Sequence, residues 1–215
     1  MLEKLAKQTA VYGISTIVVR FLSYLLTPYY TRVFGQETYG VVTDIYALIP
    51  LALTLLTMGM ESSYFRFSAK AEEAGGDVKA AKRRLFATTW GVTSLAAAVF
   101  APQVVWTQMF LNPSGDRELV TYFFRFFAIQ LLFYGVSAVA GGLLNARRDY
   151  FWSSAAPIVN NLVVIAVMFV YVFVAPENPE FAKLAIAVGT PLGVFVQMAM
   201  QLPALARNGI RLRPW

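Results

Sequence analysis

Apolar residues run along this chain in long blocks separated by short polar connections, and block length is the first thing the pattern decides. A helix needs about 20 mostly apolar residues to cross a hydrocarbon core about 30 Å thick, since each residue rises about 1.5 Å. Six blocks meet that length, at approximately Ala10–Tyr30, Val41–Met60, Leu85–Trp106, Leu119–Leu144, Trp152–Ala175 and Leu184–Ala206. The fifth has no charged residue between Tyr150 and Pro176, whereas Pro102 interrupts the third near one end. The first is too long for a cleavable leader and carries Arg20 in its middle. Only the connection Glu61–Arg84 is long; the others are too short for an extramembrane domain. The pattern therefore predicts an all-α polytopic membrane protein, a single six-helix transmembrane bundle occupying residues 1–215.

Charge orients the bundle. Lys4 and Lys7, the Arg66–Arg84 connection, Arg147 and Arg148, and Arg207, Arg211 and Arg213 place thirteen Lys and Arg residues on one side. The other side has Arg32, Arg117 and Lys183, accompanied by Glu37, Asp116, Glu118, Glu177 and Glu180. The positive-inside rule then puts both termini in the cytoplasm, with membrane lipids as the surroundings. The net charge of +6 is thereby accounted for by topology rather than by nucleic acid. In the long connection, Glu72 to Asp77 reads as a turn between Ser62–Lys70 and Val78–Arg84. Those flanks lie either as short helices on the headgroups or as a solvated basic loop.

Composition narrows the chemistry. The chain is 58% hydrophobic and 14% charged, with mean hydropathy +0.57, against roughly 45–50% and 25% in soluble domains. It contains neither cysteine nor histidine, which removes disulfides, thiolate nucleophiles, the commonest general base and the commonest metal ligand. No phosphate-binding G-x-x-x-x-G-K-[ST] loop is present and no acidic cluster has metal-ligand spacing. Neither catalysis nor a cofactor is implied, and transport is the class left standing.

Polar residues inside spans mark what is transported or what packs. Thr16, Arg20, Ser23, Thr27 and Thr31 recur at helical spacing on the first span, with Tyr24 beside them. Arg20 sits about 15 Å from either interface, and an arginine at mid-span costs about 2.5–3.5 kcal/mol unless it meets water or a partner. It either faces a cationic cavity or pairs with an acid. Arg125, amid Phe123, Phe124, Phe126 and Phe127, either snorkels to the outer headgroups or joins Arg20. The fourth span carries small residues four apart (Ser137, Gly141, Asn145; Ala138, Gly142, Ala146), a pattern that favours close helix packing. Pro157, Asn160 and Asn161 in the fifth span, and Thr190, Pro191, Gly193, Gln197, Gln201 and Pro203 in the sixth, suggest helices that bend in use.

Particular stretches resemble known transporters. YGISTIVVRFLSYLLTPYYTRVFGQETYGVVTDIYALIP, followed by LLTMGMESSYFRF, resembles bacterial oligosaccharide flippases of the Wzx-like type. FAPQVVWTQ, YFFRFFAIQ, GGLLNARRDYFWSSAAPIVNNLVVIAV and LGVFVQMAMQLPALARNGIRLRP are more similar to lipid II flippases of the MurJ type. Both belong to the superfamily of multidrug, oligosaccharidyl-lipid and polysaccharide exporters. The resemblance implies a carrier of undecaprenyl-pyrophosphate-linked saccharides from the inner to the outer leaflet of the bacterial cytoplasmic membrane. It further implies two six-helix lobes, of which this chain corresponds to the N-terminal one, so that a second lobe or a homodimer is an expected partner. First-span arginines of lipid II flippases face a central cationic cavity. Arg20 falls at one such position, and the arginine about two turns later corresponds to Leu26. On this expectation Arg20 contacts the pyrophosphate through bidentate donors, Arg125 assists, and Thr27, Asn160 or Asn161 hydrogen-bonds sugar or phosphate. Two competing readings are a drug–cation antiporter, which wants a mid-span acid where this chain has Arg20, and a non-transporting single-lobe fragment or scaffold of envelope-glycan assembly.

Overall fold

The computed structural model describes residues 2–36, 39–40, 43, 87–88, 91, 95, 99, 102, 106, 110, 116–146 and 149–208. The expected spans at 41–60 and 85–106 and the basic connection 61–84 fall outside the described residues, apart from isolated helical positions. Helix is the regular structure found among the described residues, with four long elements: α1 (Leu2–Phe34), α2 (Arg117–Ala146), α3 (Tyr150–Val174) and α4 (Pro179–Arg207). Each encloses, to within a residue, one of the apolar blocks expected from the sequence. α3 and α4 are long and apolar enough to cross a membrane. The two arms of α2, Arg117–Phe127 and Leu132–Asn145, meet at 47° and together make a third candidate span. α1 has 33 residues, about 50 Å of helix, which exceeds the hydrocarbon thickness.

The ends are set by local chemistry. Gly35, at φ 75°, takes the left-handed conformation that side chains disfavour and stops α1 immediately after Phe34. Asp116 Oδ1 accepts from the Leu119 amide at 2.9 Å and opens α2. Asn178 does the same for α4, accepting from Phe181 N at 3.0 Å ahead of Pro179. The Asp149 carboxylate, at the start of α3, instead accepts from Asn208 Nδ2 at 2.9 Å. Asn208 also caps the end of α4 through Ala204 O. This pair ties the α2–α3 connection to the far end of α4, with Arg207 stacked over the Trp152 ring at 5.7 Å.

α3 pairs most extensively with α4, α4 next with α2, and α1 with α3. The α3–α4 seam is close because α4 offers glycine twice, one turn apart. A Cβ at Gly189 would collide with both methyls of Val167, and one at Gly193 would lie 2.5 Å from Asn160 Oδ1 and 3.2 Å from its carbonyl oxygen. The sequence reading treated Gly193 as a point of bending; the structure uses Gly189-x-x-x-Gly193 as a packing face instead. Both Pro191 and Pro203 lie inside the continuous helix α4. Of the two small-residue stripes on α2, Ser137 and Gly141 face α4, whereas Ala138 is exposed and Gly142 borders open space. Apolar closure of α1 onto α2 comes from an aromatic cluster, in which Phe34 meets Phe123 edge-on at 4.6 Å and Phe123 meets Phe127 at 5.6 Å.

Candidate functional site

α1 carries the one charged residue that the sequence sets near the middle of a described helix, so the site is built outward from it. Val19, Ser23, Leu26 and Tyr30 lie on the side of α1 that packs, Leu26 being 5% exposed. One residue advances about 100° round a helix, which carries Arg20 from the Val19 side to the exposed face. Tyr24, one turn on, shares that face and is 76% exposed. Thr27 lies along the boundary between the packed and exposed sides, and Thr16 is exposed. The ion pair described in the structure is Lys183–Glu180 at 3.0 Å, on the surface. Among the described residues Arg20 has no acidic partner. The acids of α2–α4 and their flanks, Asp116, Glu118, Asp149, Glu177 and Glu180, stand at helix ends.

The hydroxyls of the α1 stripe are largely turned back onto the helix. Ser23 Oγ donates to Val19 O at 2.9 Å, and Thr27 Oγ1 to Ser23 O at 3.4 Å. Thr31 Oγ1 reaches Thr27 O and Pro28 O, each at 3.0 Å. Such back-bonding satisfies the donor and leaves acceptor lone pairs available.

The two adjacent asparagines of α3 diverge. Asn161 is buried and its amide donates to Val19 O at 3.1 Å and Ser23 Oγ at 3.2 Å, clamping α3 to α1 beside Arg20. Asn160 points the other way, its Oδ1 buried against Gly193 and its side chain beside Tyr134. Neither amide is presented on the face that carries Arg20. Arg125 is also separate. Phe34 meets Phe123, and Arg20 lies about 21 Å along α1 from Phe34 whereas Arg125 lies about 3 Å along α2 from Phe123. The two guanidiniums therefore stand at different depths, and Arg125 is exposed on the side of α2 opposite the buried Phe123 and Phe127. Of the five residues expected at the site, Arg20 and Thr27 lie two turns apart on one helix, Asn161 bonds α1 next to Arg20, and Asn160 and Arg125 stand apart from it.

Two polar features escaped the sequence reading. Ser137 Oγ accepts from Gln201 Nε2 at 2.6 Å and from Gln197 Nε2 at 3.0 Å, a buried bridge between α2 and α4. Their presence within spans was legible; their pairing across helices was not, because it depends on the register of two parallel helices separated in the chain by α3. The Asp149–Asn208 link joins residues 59 apart that flank different spans. No signal short of the fold connects them.

Tyr24 gains meaning by contrast. The exposed positions of α3 are Phe151, Leu162, Ala166, Phe169, Val170, Val172 and Phe173. Those of α4 between Leu184 and Phe195 are Leu184, Val188, Leu192 and Phe195. These faces suit lipid. The exposed face of α1 instead combines Ile14, Ile17, Phe21 and Leu25 with a guanidinium and a phenol.

Residues 63–215 match the family described as Lipid II flippase MurJ. Among curated proteins, the chain is similar to a "Probable lipid II flippase MurJ" of Vibrio cholerae serotype O1 (strain ATCC 39315 / El Tor Inaba N16961). The two are 30% identical over 101 residues, which is 47% of this chain and 18% of that protein. The similarity thus spans less than a fifth of the relative's length. No solved structure matches. α2, α3 and α4 lie within the matched segment; α1, with Arg20, precedes it.

Proposed function

Because the chain belongs to the lipid II flippase MurJ family, a family of membrane transporters, we propose that it moves the headgroup of an undecaprenyl-pyrophosphate-linked saccharide across the bacterial cytoplasmic membrane. The cargo class in this reading is lipid II or a polysaccharide repeat unit, delivered from the inner to the outer leaflet for cell-envelope glycan synthesis. The chain acts as one six-span lobe with both termini in the cytoplasm. A second lobe or a second copy completes the pathway, since alternating access rocks one bundle against another around a shared site.

The observation that carries the proposal is the position of Arg20. A guanidinium near mid-helix, exposed and with no acid against it among the described residues, is costly against hydrocarbon. The cost disappears if that face borders a wet or anionic path. Arginine suits a pyrophosphate because its planar donors engage two oxygens at once, and a poorly hydrated cavity strengthens the pairing. Thr27, at the boundary of the same face, offers acceptor lone pairs to sugar hydroxyls. The tail remains in the bilayer while the headgroup passes along α1. Arg125 then serves at the outer headgroup level rather than beside Arg20. The drug–cation antiporter loses ground for the same reason, because its exchange chemistry wants an acid where this face has arginine.

Native mass spectrometry of protein released from gentle detergent tests the proposal, comparing wild type with Arg20→Ala. Wild type retains an undecaprenyl-pyrophosphate saccharide, and the variant loses it while keeping its helicity. Equal retention by both proteins refutes the role of Arg20. A protein that is lipid-free and strictly monomeric in both forms favours the non-transporting lobe.

A further inference from the structure

Tyr24 has no role in the reading above, and its surroundings ask for one. It follows Arg20 by four residues, so the two side chains lie about 40° apart around α1 and about 6 Å apart along it. Its ring is 76% exposed. Six residues separate it from Tyr30, the outer end of the expected span, placing it about 9 Å inside. A tyrosine at that depth whose hydroxyl faced hydrocarbon would leave a donor unsatisfied, which is why tyrosines concentrate at membrane interfaces instead. The exposed faces of α3 and α4 obey that rule and carry no hydroxyl between Leu162 and Phe173 or between Leu184 and Phe195. The exposed residues of α1 depart from it at Thr16, Arg20, Ser23 and Tyr24, and of these Arg20 and Tyr24, one turn apart, carry a cation and an aromatic phenol.

Resting on the flippase reading, we propose that Tyr24 forms a saccharide subsite next to the pyrophosphate contact of Arg20. A pyranose ring presents a face of C–H bonds that stacks on an aromatic ring, and a rim of hydroxyls that exchanges hydrogen bonds with a phenol. One helical turn is the scale on which a sugar adjoins the phosphate that carries it. Arg20 therefore holds the charge common to all prenyl-pyrophosphate carriers, and Tyr24 discriminates loaded from unloaded carrier. Phe21 and Leu25, exposed on the neighbouring strip of α1, are placed to meet the apolar tail.

The experiment measures binding of two probes, undecaprenyl pyrophosphate and lipid II, to the full-length chain in lipid nanodiscs. Wild type binds lipid II more tightly than the unloaded carrier. Tyr24→Ala loses about threefold to tenfold for lipid II, the range expected of one aromatic stacking contact, with the affinity for undecaprenyl pyrophosphate unchanged. Tyr24→Phe retains most of the difference. Arg20→Ala weakens both probes together. The subsite is overturned if wild type shows no preference for lipid II, or if Tyr24→Ala binds lipid II normally or weakens both probes equally. The flippase reading fails by a different result, unchanged binding of undecaprenyl pyrophosphate by Arg20→Ala. Because Tyr24 is exposed, its replacement leaves the α1–α3 packing intact, and an unaltered thermal transition checks this.

Discussion

Replacing Gly189 by alanine tests the account of the α3–α4 seam. The added Cβ meets both γ-carbons of Val167, one of them at 2.6 Å, with the Val167 Cβ at 3.0 Å. Valine has little rotamer freedom in a helix, so its methyls do not swing aside. The helices must separate instead, along the most extensive pairing in the described structure. Overpacking of this kind costs about 1–3 kcal/mol. Val167→Ala alone removes two methyl carbons and costs about 1–2 kcal/mol. In the double variant the clash with the methyls is gone and only the Val167 Cβ contact has to relax. The double variant should therefore lose about 1–2 kcal/mol less than the sum of the single losses, a coupling between touching residues. Equilibrium unfolding in mixed micelles, followed by tryptophan fluorescence, measures all three. Gly189→Ala within about 0.5 kcal/mol of wild type, or strict additivity in the double variant, refutes the reasoning.

Asn161→Leu preserves bulk but removes the amide bonds to Val19 O and Ser23 Oγ, and should destabilise the bundle by about 1–2 kcal/mol in the same assay, given the modest worth of interhelical bonds in membranes. Since the chain has no cysteine, Arg20→Cys supplies a single thiol, and its maleimide labelling rate should change severalfold when Asn161→Leu is added; an unchanged rate means that Asn161 does not orient α1. Ser137→Ala strips an acceptor shared by Gln197 and Gln201 and should cost about 1–3 kcal/mol, as expected when buried donors lose a partner. Adding Gln197→Leu should recover part of that loss, and no recovery argues against the bridge.

Legibility in the sequence followed the range of the interaction. The apolar middles of α1 to α4 could be read from block length, because the backbone must close its own hydrogen bonds in hydrocarbon whatever it packs against, whereas α1 begins eight residues and α4 five residues before its block. The start of α4 was likewise local, with Asn178 and Pro179 acting within one turn. Arg20 was legible as an anomaly for the same reason, since a charge at mid-block is expensive in any arrangement. The direction of each side chain was not. Asn160 and Asn161 are neighbours of identical chemistry, yet one clamps α1 and the other lies against Gly193 of α4. A rotation of about 100° between consecutive residues separates those fates.

What the sequence by itself determined is therefore the helical class of the described segments, their apolar middles and the presence of a cation within α1. Tertiary structure alone decided that Arg20 and Tyr24 are exposed together, that Arg125 stands at another depth, and that the polar residues of α3 and α4 serve helix pairing. Helix formation is settled by residues within about one turn of each other. Facing and register are settled by which ridges of one helix fit the grooves of another, and that information is divided among segments far apart in the chain.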